Sequence, residues 1–192
     1  MKPIRTAIIV FVFWTILVGG IYPLFMTGVG ALFFPHQAQG SLISSNGKLQ
    51  GSSLMAQEFT ADKYFHERPS ATGYNPASSG ASNQGYTSAQ LKKDFDQRKA
   101  DWQKSTGSAE APIEMLYSSG SGVDPDISPR AAELQAPVVA AARHLSAAQA
   151  AQLLDMVRTH EKQPQLGFLG EPRVNVLSLN LAVDAVFPVA TP

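Results

Sequence analysis

AIIVFVFWTILVGGIYPLFMTGVGALFF, residues 7–34, is almost wholly apolar and sits inside a longer stretch, residues 6–47, that lacks Asp, Glu, Lys and Arg. A helix needs about 20 mostly apolar residues to cross a hydrocarbon core of ~30 Å. This run suffices, with an excess to be taken up by tilt, by an outer end rising into the headgroups, or by a bend at Pro23. The core of the helix is expected over residues 7–28. Phe33-Phe34, followed by Pro35 and His36, suits the exit into the far interface, where aromatic rings sit well. A cleaved signal peptide is the rival reading, but its apolar core runs only about 7–15 residues and ends at a small-x-small site. Hydrophobicity here continues past Tyr22, so the segment reads as an anchor.

Lys2 and Arg5 precede the helix, and the next basic residue is Lys48. The positive-inside rule therefore places residues 1–6 in the cytoplasm and residues 41–192 outside. Gly19 and Gly20, with Gly28 and Gly30, offer small surfaces to another membrane helix, although no G-x-x-x-G is present. The expected fold is a single N-terminal transmembrane helix followed by one mixed α+β extracytoplasmic domain. Formal net charge is zero, which gives no basic footprint for nucleic acid. No cysteine is present, which excludes disulfides, thiolate metal sites and thiol catalysis. No Asn lies in an N-x-Ser/Thr sequon, so a bacterial inner membrane with a periplasmic domain fits best.

Outside the anchor, Ser41–Ile43 and Lys48–Gln50 flank Asn46-Gly47, a hairpin signal. Residues 64–86 carry loop chemistry (RPS, YNP, SSGASNQG), yet Tyr64, Phe65, Tyr74 and Tyr86 argue for order. We expect an ordered surface loop that contacts another chain. Thr87 and Gln90 read as the capping box of a helix over 87–104. Its narrow stripe of Leu91, Phe95 and Trp102 suggests that it projects into water, with Asp94–Arg98 as an outer i,i+4 pair. Residues 112–118 look strand-like. Ser128 and Pro129 open a helix that Pro137 is expected to break or kink. Ser146-x-x-Gln149 caps another, with Leu153, Leu154 and Val157 buried and Gln163-Pro164 at its end. Arg173–Leu177 reads as a core strand, and Leu177, Leu181 and Ala185 as a short final helix.

Catalytic chemistry is scarce. The four His (36, 66, 144, 160) are scattered without ligand spacing, so no metal site is expected. No G-x-S-x-G elbow and no phosphate loop occurs. Asp124-Pro125-Asp126 reads first as a turn. His66-Glu67-Arg68-Pro69 is the most reactive-looking cluster. If it serves function, Arg68 would grip a partner carboxylate through a two-pronged contact. No catalytic residue is assigned. Partner-contact candidates are His66, Arg68, Tyr74, Asn75, Ser82, Asn83, Gly19 and Gly20.

Several segments together resemble KdpC, the C subunit of the Kdp potassium-transporting ATPase. They are the anchor ending in GGIYP (19–23), GS…QEF (51–59), YFHERPSA (64–71), YNP with SGASN (74–83), SGVDPDISP (121–129) and GEP with VNVL (170–177). One departure is that Val138 stands where the family usually has a basic residue. The resemblance implies a non-catalytic accessory subunit that supports assembly and turnover of an ATP-driven potassium uptake complex. The implied partners are a channel-like subunit, a P-type ATPase subunit, a small single-helix subunit and the lipid bilayer. It also implies the alternative of a catalytic chaperone that raises the ATP affinity of the ATPase subunit in a ternary complex. That role conflicts with the orientation, because ATP is cytoplasmic. On the outside, the domain could cap the potassium entrance, with Glu58, Glu67, Asp124 and Asp126 raising the local cation concentration.

Overall fold

The computed structural model describes residues 2–45 and 47–188. The chain divides into two compact units, Met1–Leu42 and Ile43–Pro192.

In the first unit, one helix runs from Lys2 to Phe33, long and apolar enough to cross a membrane. It extends past residues 7–28 at both ends. It consists of α1 (Lys2–Ile16), a π-helical turn (Leu17–Ile21) and α2 (Tyr22–Phe33). The π turn ends two residues before Pro23, where a bend is expected. Proline has no N–H and its ring presses on the carbonyl four residues back, so widening the preceding turn relieves the clash. The helix breaks at Phe34 (φ −133°, ψ 53°), before the single turn α3 (Pro35–Ala38). Two of its hydroxyls bond within the helix: Thr6 donates to the Lys2 carbonyl and Thr27 to that of Pro23 at 2.8 Å.

The second unit is a mixed helix and sheet domain. Strands β1 (Leu42–Ser45) and β2 (Lys48–Ser52) form a two-stranded sheet. Of the turn read between them, Asn46 lies outside the described residues, and Gly47 takes φ +72°. Three short strands, β3 (Asp126–Ile127), β4 (Glu161–Lys162) and β5 (Arg173–Asn175), make an antiparallel sheet in the order β3-β5-β4. Ile127 faces Val174, as does Glu161 from the other side. Helices α4 (Ala89–Thr106), α5 (Ile113–Leu116), α6 (Pro129–Ala142), α7 (Ala147–Thr159) and α8 (Val176–Val186) complete the domain. The core gathers Phe65, Ala131, Val139, Leu153, Val157, Val174, Leu179 and Val183, all nearly inaccessible to water.

Local chemistry explains most boundaries. Ser128 caps α6 with Pro129 in its first turn, and Ser146 and Gln149 form a reciprocal capping box on α7. Several expectations need correction. The cap of α4 is Ser88, whose hydroxyl accepts from the Leu91 amide, and not Thr87. Residues 112–118 contain helix α5, not a strand, because the buried pair Met115-Leu116 is adjacent where a strand would alternate its buried residues. Helix α6 continues through Pro137. The side chain of Pro137 is exposed while Ala136, Val139 and Ala140 on either side are buried, so packing holds the helix together across the missing N–H. Helix α7 ends at Thr159, before Gln163-Pro164. Strand β5 stops at Asn175, whose side chain caps α8 by accepting from the Ser178 amide, so Val176 and Leu177 are helical. Asp94 bonds Gln90, and Arg98 instead reaches the Leu116 carbonyl and the Ser118 hydroxyl.

Candidate partner-docking segment

Residues 56–86 have little regular structure, a single 3-10 turn over Pro76–Ser78 apart. They are nonetheless pinned by side chains of the helices behind them. Phe65 is buried, and both of its backbone groups are met by one side chain: its N–H donates to Asn180 Oδ1 at 2.8 Å, and Asn180 Nδ2 donates to its carbonyl at 2.9 Å. The next residue repeats the arrangement. The His66 N–H donates to Gln135 Oε1 at 2.7 Å, and Gln135 Nε2 donates back at 3.2 Å. A carboxamide offers one acceptor and two donors, so it completes an extended backbone as a neighbouring strand would. Asn180 comes from α8 and Gln135 from α6, and both are buried.

Arg143 fixes the start of the same segment. Its side chain is fully buried, and it donates to the carbonyls of Lys63 (2.7 Å) and Phe187 (2.9 Å) and to Asp184 (2.7 Å). The Tyr64 hydroxyl shares Asp184 at 3.2 Å, and the guanidinium lies 5.2 Å from the centre of the Tyr64 ring. Burial and the adjacent Asp184 carboxylate raise the Tyr64 pKa.

Further along, Ser70 donates to the Gly122 carbonyl at 2.6 Å and accepts from the amides of Thr72 and Tyr74. Ser119 donates its amide to the Pro69 carbonyl, and Gly80 does so to Ser121 at 2.8 Å. Gly122 takes φ +69°, and a Cβ there would sit 2.4 Å from Thr72 Oγ1 and 2.8 Å from the Gly80 carbonyl. The loop 119–123 therefore approaches the segment at glycine distance.

The twelve residues singled out from sequence fall into distinct places. His66 is half-buried, with Nε2 3.3 Å from the Ala61 carbonyl. Arg68 pairs with Asp124 at 2.8 Å, so the carboxylate it grips lies in its own chain. Tyr74, at φ +56°, donates to the Arg68 carbonyl, and burial pushes its pKa up to about 12. Asn75 caps the 3-10 turn, accepting from the Ala77 amide. Ser82 and Asn83 are exposed, Asn83 at φ +53°. Asp126 pairs with Arg173 at 3.0 Å and accepts from Asn175. Glu58 is exposed. Glu67 is only 4% exposed: Oε1 accepts from the Gln57 amide, Oε2 meets no donor, and burial raises its pKa to about 8. Gly19 and Gly20 lie in the π turn of the anchor, with no side-chain neighbour within 4 Å of an added Cβ.

A cavity of about 70 Å³ opens among Tyr64, His66, Trp102, Met115, Gln135 and Val138. Ligand pockets for drug-sized molecules hold roughly 300–1,000 Å³, and this lining includes Asp62 but no Lys or Arg, so a nucleoside triphosphate does not fit it. Among the described residues, no group of three His, Cys, Asp or Glu is placed to hold a metal ion.

Sequence reading passed over Gln135 and Asn180. The signal was present: each is a carboxamide within the apolar face of a helix, where an unpaired polar group is costly. Residues 4–185 match the family model described as K+-transporting ATPase, c chain. The chain belongs to this c-chain family. It is 45% identical to the potassium-transporting ATPase KdpC subunit of Geobacter sulfurreducens, over 98% of this chain and 100% of that one. The KdpC subunit of Citrifermentans bemidjiense is 46% identical over 96% of this chain and 97% of its own. That of Bradyrhizobium diazoefficiens is likewise 46% identical over 96% and 97%. In this c chain, the YFHERPSA stretch that carried the resemblance is an internal seam, with Phe65, His66 and Arg68 held by their own domain.

Proposed function

We propose that the chain is the non-catalytic C subunit of a Kdp-type potassium uptake complex in a bacterial inner membrane, with its N-terminus in the cytoplasm and residues 41–192 in the periplasm. It supports assembly and turnover of a channel-like subunit and a P-type ATPase subunit, alongside a small single-helix subunit. The observation that carries this reading is the pre-ordered segment 56–86. Its backbone is already pinned from within at Phe65, His66 and Ser70, so its exposed face, with Asn75, Ser82 and Asn83, can dock on a partner at a reduced ordering cost. Lys2 and Arg5 in the first turn of the helix support the orientation. Asp124 and Asp126 are already paired with arginines and Glu67 is buried, so attraction of cations toward the channel entrance falls mainly to Glu58.

The chain has no Cys, so a single Cys in place of the exposed Ser105 is a unique probe of sidedness. In intact cells stripped of their outer membrane, an impermeant thiol reagent is expected to label it. Labelling only after the cytoplasmic side is opened would overturn the orientation and favour the nucleotide-dependent chaperone role. In cells that lack their own C subunit, the chain is expected to restore growth at low potassium.

A further inference from the structure

The anchor leaves one backbone group without a partner in the worst possible solvent. In the π turn, the Tyr22 amide donates to the Leu17 carbonyl, five residues back. The next residue, Pro23, has no N–H to give. These are the two amides that helical geometry brings within reach of the Val18 carbonyl, at i+4 and i+5. That carbonyl therefore has neither its i+4 nor its i+5 amide as donor, and the Gly19 carbonyl loses its ordinary i+4 donor to the same proline. The nearby Thr27 hydroxyl is committed to the Pro23 carbonyl. Val18 falls within the hydrocarbon however the helix is seated: every window of about 20 residues within Lys2–Phe33 includes it. An unsatisfied carbonyl in hydrocarbon costs several kcal/mol. Gly19 and Gly20 follow it directly, and nothing lies within 4 Å of where their Cβ atoms would be, so the surface beside the bare acceptor is open to another backbone.

We propose that the Val18 carbonyl, with the Gly19-Gly20 surface beside it, is the docking point for a hydroxyl or carboxamide donor carried on a transmembrane helix of a partner subunit. The acceptor selects a polar residue in an otherwise apolar helix, and the glycines let that helix come close enough to reach it. This rests on the reading of the chain as a subunit of a membrane complex, but the two fail separately. Growth at low potassium tests the subunit reading with the unaltered chain, whereas the docking point is tested by variants.

The full chain, tagged and co-expressed with the other subunits, is purified in mild detergent, and the co-purified partner is measured per tagged chain. Gly19→Leu covers the surface and is expected to lower retention at least as much as Pro23→Ala. Pro23→Ala restores the missing N–H and is expected to lower retention about three- to ten-fold, the range of single interhelical hydrogen bonds in membranes, with helix content by circular dichroism unchanged. Leu24→Ala serves as the apolar control and keeps wild-type retention. Loss with Gly19→Leu but not with Pro23→Ala would mean packing without a donor and would overturn the proposal. Retention in both would leave water as the donor and overturn it equally. Mutual capture of two differently tagged copies, in place of the partner, would assign the surface to self-association and also overturn it.

Discussion

The anchor and the segment 56–86 invert the usual link between regularity and completeness. The anchor is helical from Lys2 to Phe33, yet its π turn and Pro23 strip one carbonyl of its donor. The segment is irregular, yet Phe65 and His66 are paired on both backbone groups by Asn180 and Gln135. A backbone group needs a partner, not a particular secondary structure. In the domain the partner is supplied by side chains of the same chain. In the membrane nothing apolar can supply it, so completeness waits for another molecule.

If the domain segment is complete because of a few internal donors, removing one should cost far more than its share of the surface. The largest effect is expected for Arg143→Met. The substitution keeps most of the volume but strands two carbonyls and Asp184. Loss of a buried, multiply bonded arginine points to about 3 kcal/mol, tempered here because Asp184 is partly exposed. Urea denaturation of the full chain in micelles, followed by Trp102 fluorescence in a Trp14→Phe background, measures it. A loss below about 1 kcal/mol would mean that water replaces the guanidinium, and the segment would not be internally complete.

Asn180→Leu comes next, at about 2 kcal/mol, because it leaves the Phe65 N–H and carbonyl buried without partners. Gln135→Leu tests the same principle one residue on and should cost less, since His66 is only half-buried. Equal costs would argue that the two carboxamides act through packing rather than through the backbone they pair with.

These residues also show how much could be read beforehand. The anchor, the Ser128 and Ser146 caps and the final helix were legible because hydrophobic length and cap chemistry are local. The order of β3, β5 and β4 was not, since each strand is only two or three residues long and its pairing is decided by distant elements. Helix α5 was misread because its apolar residues match a strand in composition, and only their adjacency in the core tells otherwise. At the site, the motif around Arg68 was legible as important but not as inward-facing. Its carboxylate partner, Asp124, is 56 residues away in the chain and is brought there by the fold.

Glu67 sharpens the comparison from the other side, as a place where the domain resembles the membrane. Its Oε2 is buried without a donor, and burial raises its folded-state pKa to about 8 from an ordinary 4.5. The sign follows directly. Below pH 4.5 the folded and unfolded chains both carry the proton, and there is no penalty. Between 4.5 and 8 the unfolded chain ionises while the folded one stays neutral, so stability falls as pH rises; above 8 both are ionised and the loss levels off. Glu67→Gln removes this dependence while keeping an acceptor for the Gln57 amide. Between pH 5 and pH 7 the unaltered chain is expected to lose up to about 2 kcal/mol relative to the variant. Parallel pH profiles for the two proteins would show that Glu67 is ionised in the fold and that some group meets Oε2.

The smallest effect should come from Lys92→Ala on α4. Its ammonium pairs with Asp96 at 2.6 Å, shorter than the Arg143–Asp184 contact, so distance alone would rank it above that buried pair. Both partners are mostly exposed, with side chains 77% and 56% accessible. Water already satisfies each charge in the unfolded chain, so the pair exchanges one good environment for another and must still hold two long side chains still. No measurable change in the denaturation midpoint is expected. A loss comparable to that of Asn180→Leu would break the rule the comparison rests on: that a polar contact matters here in proportion to the solvent it replaces, and not to its length.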